Sequence, residues 1–371
     1  MKSKTTMLLA HKIELRPTPE QAVYLDKACG SKRHCFNQLL AHFSKPENKW
    51  SKAEGYQYYI NVIRKEFEWY SEVSSRVTRN AIDDLDNAFK HFFRRVKAKQ
   101  KAGFPRFKKK DLHDSFALRE SAKFDVCGRE LRIEKLKTKI KMRQPLRFQG
   151  TAKQVTISKR AGKYFASILV ETDDYNPNDA CRQKSVGVDF GIKELAVLST
   201  GKVFAANQKL KASLRQLAKL QRNLAKKVKG SNHRAKAKLK IQKLHFRIAN
   251  QRQALLHELS DYLTKNFDVI TIEDLNVNGM VKNRKLSRAI SDAGFGYLRQ
   301  MIEYKAKLRN CVVIVANRFF PSSKTCSCCG KIKTDLTLAD RIFTCECGFS
   351  ADRDLNAALN LNKYGLDTLT A

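Results

Sequence analysis

The stretch Ser185–Thr200, SVGVDFGIKELAVLST, decides how the whole chain reads. Two short apolar runs flank a turn, and the first carries an acidic residue, Asp189, before Phe190 and Gly191. Apolar runs of this length, bounded by turn residues, read as buried strands. A second such strand, DVITIEDL at 268–275, also ends in carboxylates, and Glu273 stands inside it among apolar neighbours. A long helical stretch, 207–265, lies between the two strands; a helix (294–309) and a strand (CVVIVAN, 311–317) follow. Strands interleaved with helices, with acids at the strand ends, predict an α/β sheet. The last helix is read over 352–365, DRDLNAALNLNKYG, with Asp354 in its N-terminal turn.

Burying a carboxylate is costly unless a cation or a hydrogen-bond donor meets it. Taken singly, Asp354 reads as a helix cap and Glu273 as a core ion-pair partner. Taken together, strand-Asp, strand-Glu and helix-Asp point to phosphodiester hydrolysis. That chemistry needs several carboxylates converging on paired metal ions about 4 Å apart. Mg²⁺ suits such a site because it binds oxygen and keeps several waters. The segment 276–293, with Gly279 and little apolar content before Ala289, is read as a mobile lid, and its Asp292 as a cap of the next helix.

Upstream, the pattern changes. Residues 5–16 alternate as a half-buried strand, 19–44 read as an amphipathic helix, and helical patterning continues over 54–69 and 72–100. AGFPRFKKK (102–110) ends the helical block. Alternation returns from 115 to 173, with a hairpin turn at Arg160–Lys163, and the polar run 173–184 reads as a linker.

The 371 residues carry 73 Lys and Arg against 36 acidic groups, a net charge of +37. Such an excess opposes compaction by self-repulsion, and a polyanionic partner whose phosphates neutralise it is the usual reason for it. Between Gly201 and Leu256 there are sixteen Lys or Arg and no acid. Solvated helices ordinarily mix signs, so this stretch is read as a phosphate-tracking surface carrying Arg215, Arg222, Lys226, Lys227 and Arg234. The second basic patch, 89–110, interleaves cations with phenylalanines and includes Arg106, Lys108 and Lys109. There Phe89 and Phe93 are expected in the core, while Phe104 and Phe107 are open to either role. No secretory leader or bilayer-length apolar run is evident, so an intracellular, cytoplasmic chain is expected.

Of ten cysteines, five fall between Cys326 and Cys347. Cys326-Ser-Cys328-Cys329-Gly, fourteen residues, and Cys345-Glu-Cys347-Gly together resemble a four-thiolate zinc ribbon. Cys326 and Cys329 are chosen for the first pair because two intervening residues fit a knuckle; Cys345 and Cys347 form an unusually tight second pair. Cys328 is left over. A structural Zn²⁺ is expected.

These motifs carry a family resemblance. GVDFGIKELAVLS around Asp189, ITIEDLNVNGM around Glu273 and DRDLNAALN around Asp354 resemble the three split RuvC-type motifs of TnpB proteins, transposon-encoded relatives of type V CRISPR effectors. KIELRPTPEQ, AGFPRFKKK, SDAGFGYLRQMIEYKA and FPSSKTCSCCG are similar to TnpB segments too, so the likeness covers nearly the whole chain. The resemblance implies an RNase H-like nuclease domain over 185–320 and 349–366 with a zinc ribbon inserted at 321–348. It implies a β-barrel of oligonucleotide-binding type over 1–18 and 111–178, interrupted by a helical recognition domain at 19–110. By the same resemblance Asp189, Glu273 and Asp354 hold two Mg²⁺ ions, Asp352 is a neighbour with a capping or structural role, and the partners are a guide non-coding RNA from the transposon end and target double-stranded DNA. No protein partner or membrane is implied. Arg76, Arg79 and Asn80 lie on the helix that would read a short motif beside the target; phosphate contact is the other reading of the two arginines. The activity implied is RNA-guided double-strand DNA cleavage. A catalytically weak RNA-guided binder and an unguided RNase H-fold transposase or resolvase are the alternatives.

Overall fold

A computed structural model describes residues 7–110, 114–173, 183–206, 209–337 and 340–370. The chain forms two compact units, Met1–Tyr175 and Asn176–Ala371. Most of the expected linker, 174–182, and Cys181 within it lie outside the described residues.

In the first unit, β1 (Met7–Arg16) leads into α1 (Pro19–Phe43). Thr18 caps this helix reciprocally: its Oγ1 accepts from Gln21 N (3.3 Å), and its N–H donates to Gln21 Oε1 (3.0 Å). There follow α2 (Lys52–Tyr58), a π turn (Tyr59–Ile63), α3 (Arg64–Glu66), a 3-10 turn (Glu68–Glu72) and α4 (Ser75–Lys97). The expected continuous helix over 54–69 is therefore broken, and Tyr59, Ile63 and Tyr70 from these pieces all reach one helical core. Then come β2 (Ser115–Leu118), β3 (Phe124–Cys127), β4 (Glu130–Ile133), β5 (Ile140–Met142), β6 (Thr151–Arg160) and β7 (Lys163–Thr172).

The seven strands make one antiparallel sheet in the order β2-β6-β7-β1-β5-β4-β3. A closed barrel is the expectation; among the described residues the hydrogen-bonded ladder is open, although β3 returns to lie against β6. The hairpin turn is where expected: Arg160 pairs with Lys163, and Ala161 and Gly162 take φ of 51° and 80°, as a twist-matched two-residue turn requires. Helix α1 serves two cores. Leu25, Ala28 and Cys29 pack with the sheet, whereas Phe36, Leu39 and Leu40 pack with α4 and the pieces before it.

The second unit contains β8 (Gln183–Asp189), β9 (Glu194–Leu198), β10 (Val203–Ala205), α5 (Lys209–Ala225), α6 (Asn232–Asn266) and β11 (Phe267–Glu273). After these come α7 (Val277–Met280), α8 (Ser287–Ala293), α9 (Phe295–Arg309), β12 (Val312–Ala316), β13 (Ile342–Thr344), β14 (Ser350–Asp352) and α10 (Arg353–Thr370). Its sheet runs β10-β9-β8-β11-β12, with β8, β11 and β12 parallel and β9 and β10 antiparallel.

Strand alternation sorts the two faces. Val186, Val188, Ile270 and Ile272 join the core with Leu259, Leu263 and Leu298 of α6 and α9. The intervening residues, Gly187, Asp189, Thr271 and Glu273, therefore face the other side, where α10 lies. That helix approaches closely because glycine stands at both crossings. A Cβ on Gly187 would overlap the Ala358 carbonyl oxygen, and one on Gly365 would overlap Thr271 Oγ1. Gly365, read from sequence near the end of the last helix, sits well inside α10. Among the described residues no helix is long and apolar enough to cross a membrane.

Candidate active site

The parallel register pairs Val188 with Ile272. One step on, Asp189 and Glu273 end neighbouring strands on the α10 face, at the carboxyl edge where open α/β sheets place their ligands. The first turn of α10 supplies Asp354. Asp352 performs the capping role expected of it: its Oδ1 accepts from Asp354 N (2.9 Å) and Leu355 N (3.2 Å). Asp274, next to Glu273, is held by Arg299 (2.9 Å) and Arg318 (2.6 Å). That leaves Glu273 as the carboxylate turned to the site.

The electrostatics fit a cation. Burial, then the charges of Glu273 and Asp354, hold the Asp189 carboxyl well above the ordinary carboxylate range. Burial pushes Glu273 up too, against the pull of the Ser322 hydroxyl, which donates to Glu273 Oε1 at 3.0 Å. The two carboxyls are hydrogen-bonded to each other. Arg353 offers partial compensation, with Nη2 3.5 Å from Asp354 Oδ1. All-oxygen acidic donors short of positive charge suit a hard divalent ion.

The four cysteines singled out by spacing converge. The Sγ atoms of Cys326, Cys329, Cys345 and Cys347 all lie within 4.8 Å of one another, and Cys328 is outside the group and exposed. The cluster fits a structural zinc site. Burial works against a thiolate at Cys326, but backbone donors at Cys329 and Cys328 outweigh it and bring the thiol down to about 7. The short β13–β14 hairpin closes the knuckle, and it runs straight into α10.

Several expectations need correction. Asn80 is buried, with Nδ2 donating to the Arg76 carbonyl (2.5 Å) and the Ala117 carbonyl (2.7 Å), so it ties α4 to β2. Arg76 pairs with Glu120 (2.8 Å), and Arg79 stacks over the Tyr56 ring at 5.4 Å. Lys108 is taken up inside the unit by Asp84 (2.7 Å) and the Phe36 ring (3.9 Å), while Arg106 and Lys109 are exposed. Arg234 caps the end of α5, donating to the carbonyls of Leu224 (3.0 Å) and Lys227 (2.8 Å); Arg215, Arg222, Lys226 and Lys227 are exposed. Lys108 and Arg234 share one cause: a half-buried cation finds an internal acceptor, and charge counting cannot see it.

Phe93 is 56% exposed, unlike the buried Phe89; Phe104 packs edge-on against Phe89 and Phe92, and Phe107 is exposed. Asp292 accepts from Arg252 and sits near the end of α8, so it caps nothing. The presumptive lid is two short helices, α7 and α8, with Ile290 in the core. Missed altogether from sequence were Ser322, Asn356 and Asn360, whose roles depend on contacts 29 or more residues away.

Comparison with known proteins identifies the family. A family profile described as "Probable transposase" matches 167–284, one described as "Cas12f1-like, TNB domain" matches 295–361, and one described as "Helix-turn-helix domain" matches 7–45. The last span is β1 and α1, one strand and one helix. A Streptomyces pristinaespiralis protein named "Putative RNA-guided DNA endonuclease" is 35% identical over 96% of this chain and 89% of its own length. An Escherichia coli K12 protein, "Putative RNA-guided DNA endonuclease InsQ", is 32% identical over 96% and 92%. The solved structure "Cryo-EM structure of the Cas12f1-sgRNA-target DNA complex" covers 96% of this chain and 99% of its own at 15% identity, with a TM-score of 0.35, too low to establish a common fold. The second unit is a RuvC-like α/β nuclease domain bearing a zinc-ribbon-like element. The chain belongs to the TnpB family.

Proposed function

We infer that this protein is an RNA-guided DNA endonuclease that cuts double-stranded DNA beside a short flanking motif. The observation that carries the reading is the meeting of Asp189, Glu273 and Asp354 on the α10 face of a five-stranded sheet. Near relatives named as RNA-guided DNA endonucleases over almost their full length support it.

Asp189, Glu273 and Asp354 would hold two Mg²⁺ ions. Such ions stabilise charge on the attacking and departing oxygens of the phosphodiester. The chain's own part is placement. The strand register sets Asp189 and Glu273 side by side, Gly187 lets α10 bring Asp354 against them, and Ser322 fixes one oxygen of Glu273. The thiol knuckle would carry Zn²⁺ as a structural ion.

Guide pairing reads sequence in this scheme, while the protein reads shape and the flanking motif. The guide is a non-coding RNA from the transposon end. The curled sheet of the first unit grips RNA in the manner of an oligonucleotide-binding barrel, and the helices between its strands form the recognition domain. A cleft of about 540 Å³ lined by Tyr56, Arg76, Arg79, Asn80 and Arg119 is a candidate motif reader. Exposed Arg106, Lys109, Arg215, Arg222, Lys226 and Lys227 track phosphate.

Plasmid cleavage tests the reading. The protein is expressed with its adjoining transposon end, the guide is programmed, and targets carry a randomised flank in Mg²⁺. Guide-dependent cutting that Asp189→Ala abolishes is the expected result. Guide-dependent binding without cutting by the wild type would make the protein a binder instead; neither binding nor cutting would end the RNA-guided reading.

A further inference from the structure

Two asparagines one turn apart on α10 fasten the thiol knuckle to the acid site. Asn356 and Asn360 are buried, at 0% and 3% exposure. Asn356 uses both ends of its amide: Nδ2 donates to the Thr325 carbonyl (2.7 Å), and Oδ1 accepts from Ser327 N (3.0 Å). Asn360 Nδ2 donates to the carbonyls of Ser322 (2.8 Å) and Thr325 (2.6 Å). These bonds bracket Cys326, itself 1% exposed, and they close on Ser322, whose hydroxyl donates to Glu273 Oε1 at 3.0 Å. Buried amides so fully used are high-stakes connections, since each lost partner leaves a polar group stranded.

The segment between Asn317 and Cys326 belongs to neither a helix nor a strand. Its local order is turns: Phe320 N donates to the Asn317 carbonyl (2.9 Å), Ser322 N to the Phe320 carbonyl (2.8 Å), and the Pro321 carbonyl accepts from Lys324 N (3.0 Å), Thr325 N (3.0 Å) and Thr325 Oγ1 (2.8 Å). Those turns shape the backbone at Ser322, and the bond from Asn360 Nδ2 to its carbonyl ties it to α10, next to the knuckle. A hydrogen bond to one carboxylate oxygen also sets the plane of the carboxyl group, and so the direction of the other oxygen.

We propose that Ser322 is a positioning residue for Glu273, and that the thiol knuckle, clamped to α10 by Asn356 and Asn360, holds it in place, so that the knuckle's metal sets how tightly the acid site binds its divalent ions. The two metal sites are thereby coupled, which the sequence motifs, read separately, do not suggest. The inference rests on the reading of Asp189, Glu273 and Asp354 as the divalent-ion site.

The test measures Mn²⁺ binding to the full-length, RNA-free protein by electron paramagnetic resonance, with Asp189→Ala as reference. Alongside it, single-turnover cleavage by the guide-loaded complex is followed across a Mg²⁺ titration. Ser322→Ala is expected to weaken Mn²⁺ binding three- to tenfold and to raise the half-saturating Mg²⁺ by the same factor. Zinc content and target affinity should stay as in the wild type, and Ser322→Thr should restore the ion affinity. Cys326→Ser, which leaves every acid in place, is expected to weaken Mn²⁺ in the same direction. Wild-type Mn²⁺ affinity in Ser322→Ala, or in a zinc-free Cys326→Ser, overturns the coupling, as does a rate loss equal at every Mg²⁺ concentration. Mn²⁺ binding that survives Asp189→Ala sinks the acid-site reading itself, a distinct outcome.

Discussion

Gly187 of β8 lies directly under Ala358 of α10, so close that a methyl group on Gly187 would overlap the Ala358 carbonyl oxygen and the Asn362 amide nitrogen. Both obstacles are helix backbone, which cannot rotate aside. The approach of α10 to the sheet, and with it the meeting of Asp354 with Asp189, depends on this missing side chain.

Gly187→Ala should therefore displace α10 and do more harm than its size suggests. Overpacking of this kind costs about 1–3 kcal/mol, which a thermal melt will register as a fall of several degrees. Cleavage should be lost while guide RNA remains bound. A variant that cuts normally would mean that α10 sits further from β8 than described.

The acid site should trade stability for function. Asp189 and Glu273 are both pushed upward by burial and Asp189 further by its acidic neighbours, so the folded state binds protons more tightly than the unfolded one. Stability from this source is present at low pH and is lost as pH rises through the raised values. Metal-free wild-type protein at pH 7 should thus melt below Asp189→Asn, the gap should shrink as pH falls toward 4, and Mg²⁺ should raise the melting temperature of the wild type alone. An Asp189→Asn variant less stable than wild type at pH 7 without metal would refute the electrostatic account.

Zinc stoichiometry separates the thiols. One ion per chain is expected for the wild type and for Cys328→Ser, whose thiol stands outside the cluster, and none for Cys326→Ser. Elemental analysis of the purified protein decides it. Zinc lost in Cys328→Ser would reassign the first pair.

Salt dependence should divide the cations of α5, α6 and the turn between them. Each phosphate contact contributes about 0.9 to the slope of log affinity against log salt for duplex DNA, and about 0.7 for single strands. Replacing exposed Arg222 and Lys226 with alanine should lower the slope by roughly one to two and leave the melting temperature unchanged. Arg234→Ala should do the reverse, because its guanidinium caps α5. A helix-end interaction of this kind is worth about 0.3–1 kcal/mol. Filter-binding titrations from low to moderate salt, paired with melts, distinguish the two.

The acids were legible from sequence because a carboxylate in an apolar strand is conspicuous: Asp189 and Glu273 each interrupt a run that otherwise belongs to the core. The knuckle was legible because cysteine spacing alone narrows which thiols can meet, and the cluster excludes Cys328 as the spacing did. The strands at 7–16 and 151–172 announced themselves by alternation, and the helices of the second unit by their long cationic stretch.

The tertiary structure alone decided which polar residues were already engaged. Asn80, Lys108 and Arg234 read as free donors in a basic chain, yet each satisfies a carbonyl or carboxylate inside its own unit. Ser322, Asn356 and Asn360 read as ordinary polar residues, yet they join the knuckle to Glu273. Hydropathy and charge are written residue by residue, so the chain itself determined the site's chemistry. Which donor meets which acceptor is set by packing between distant segments, as where Gly187 admits α10 to the sheet, and that pairing exists only once the chain has folded.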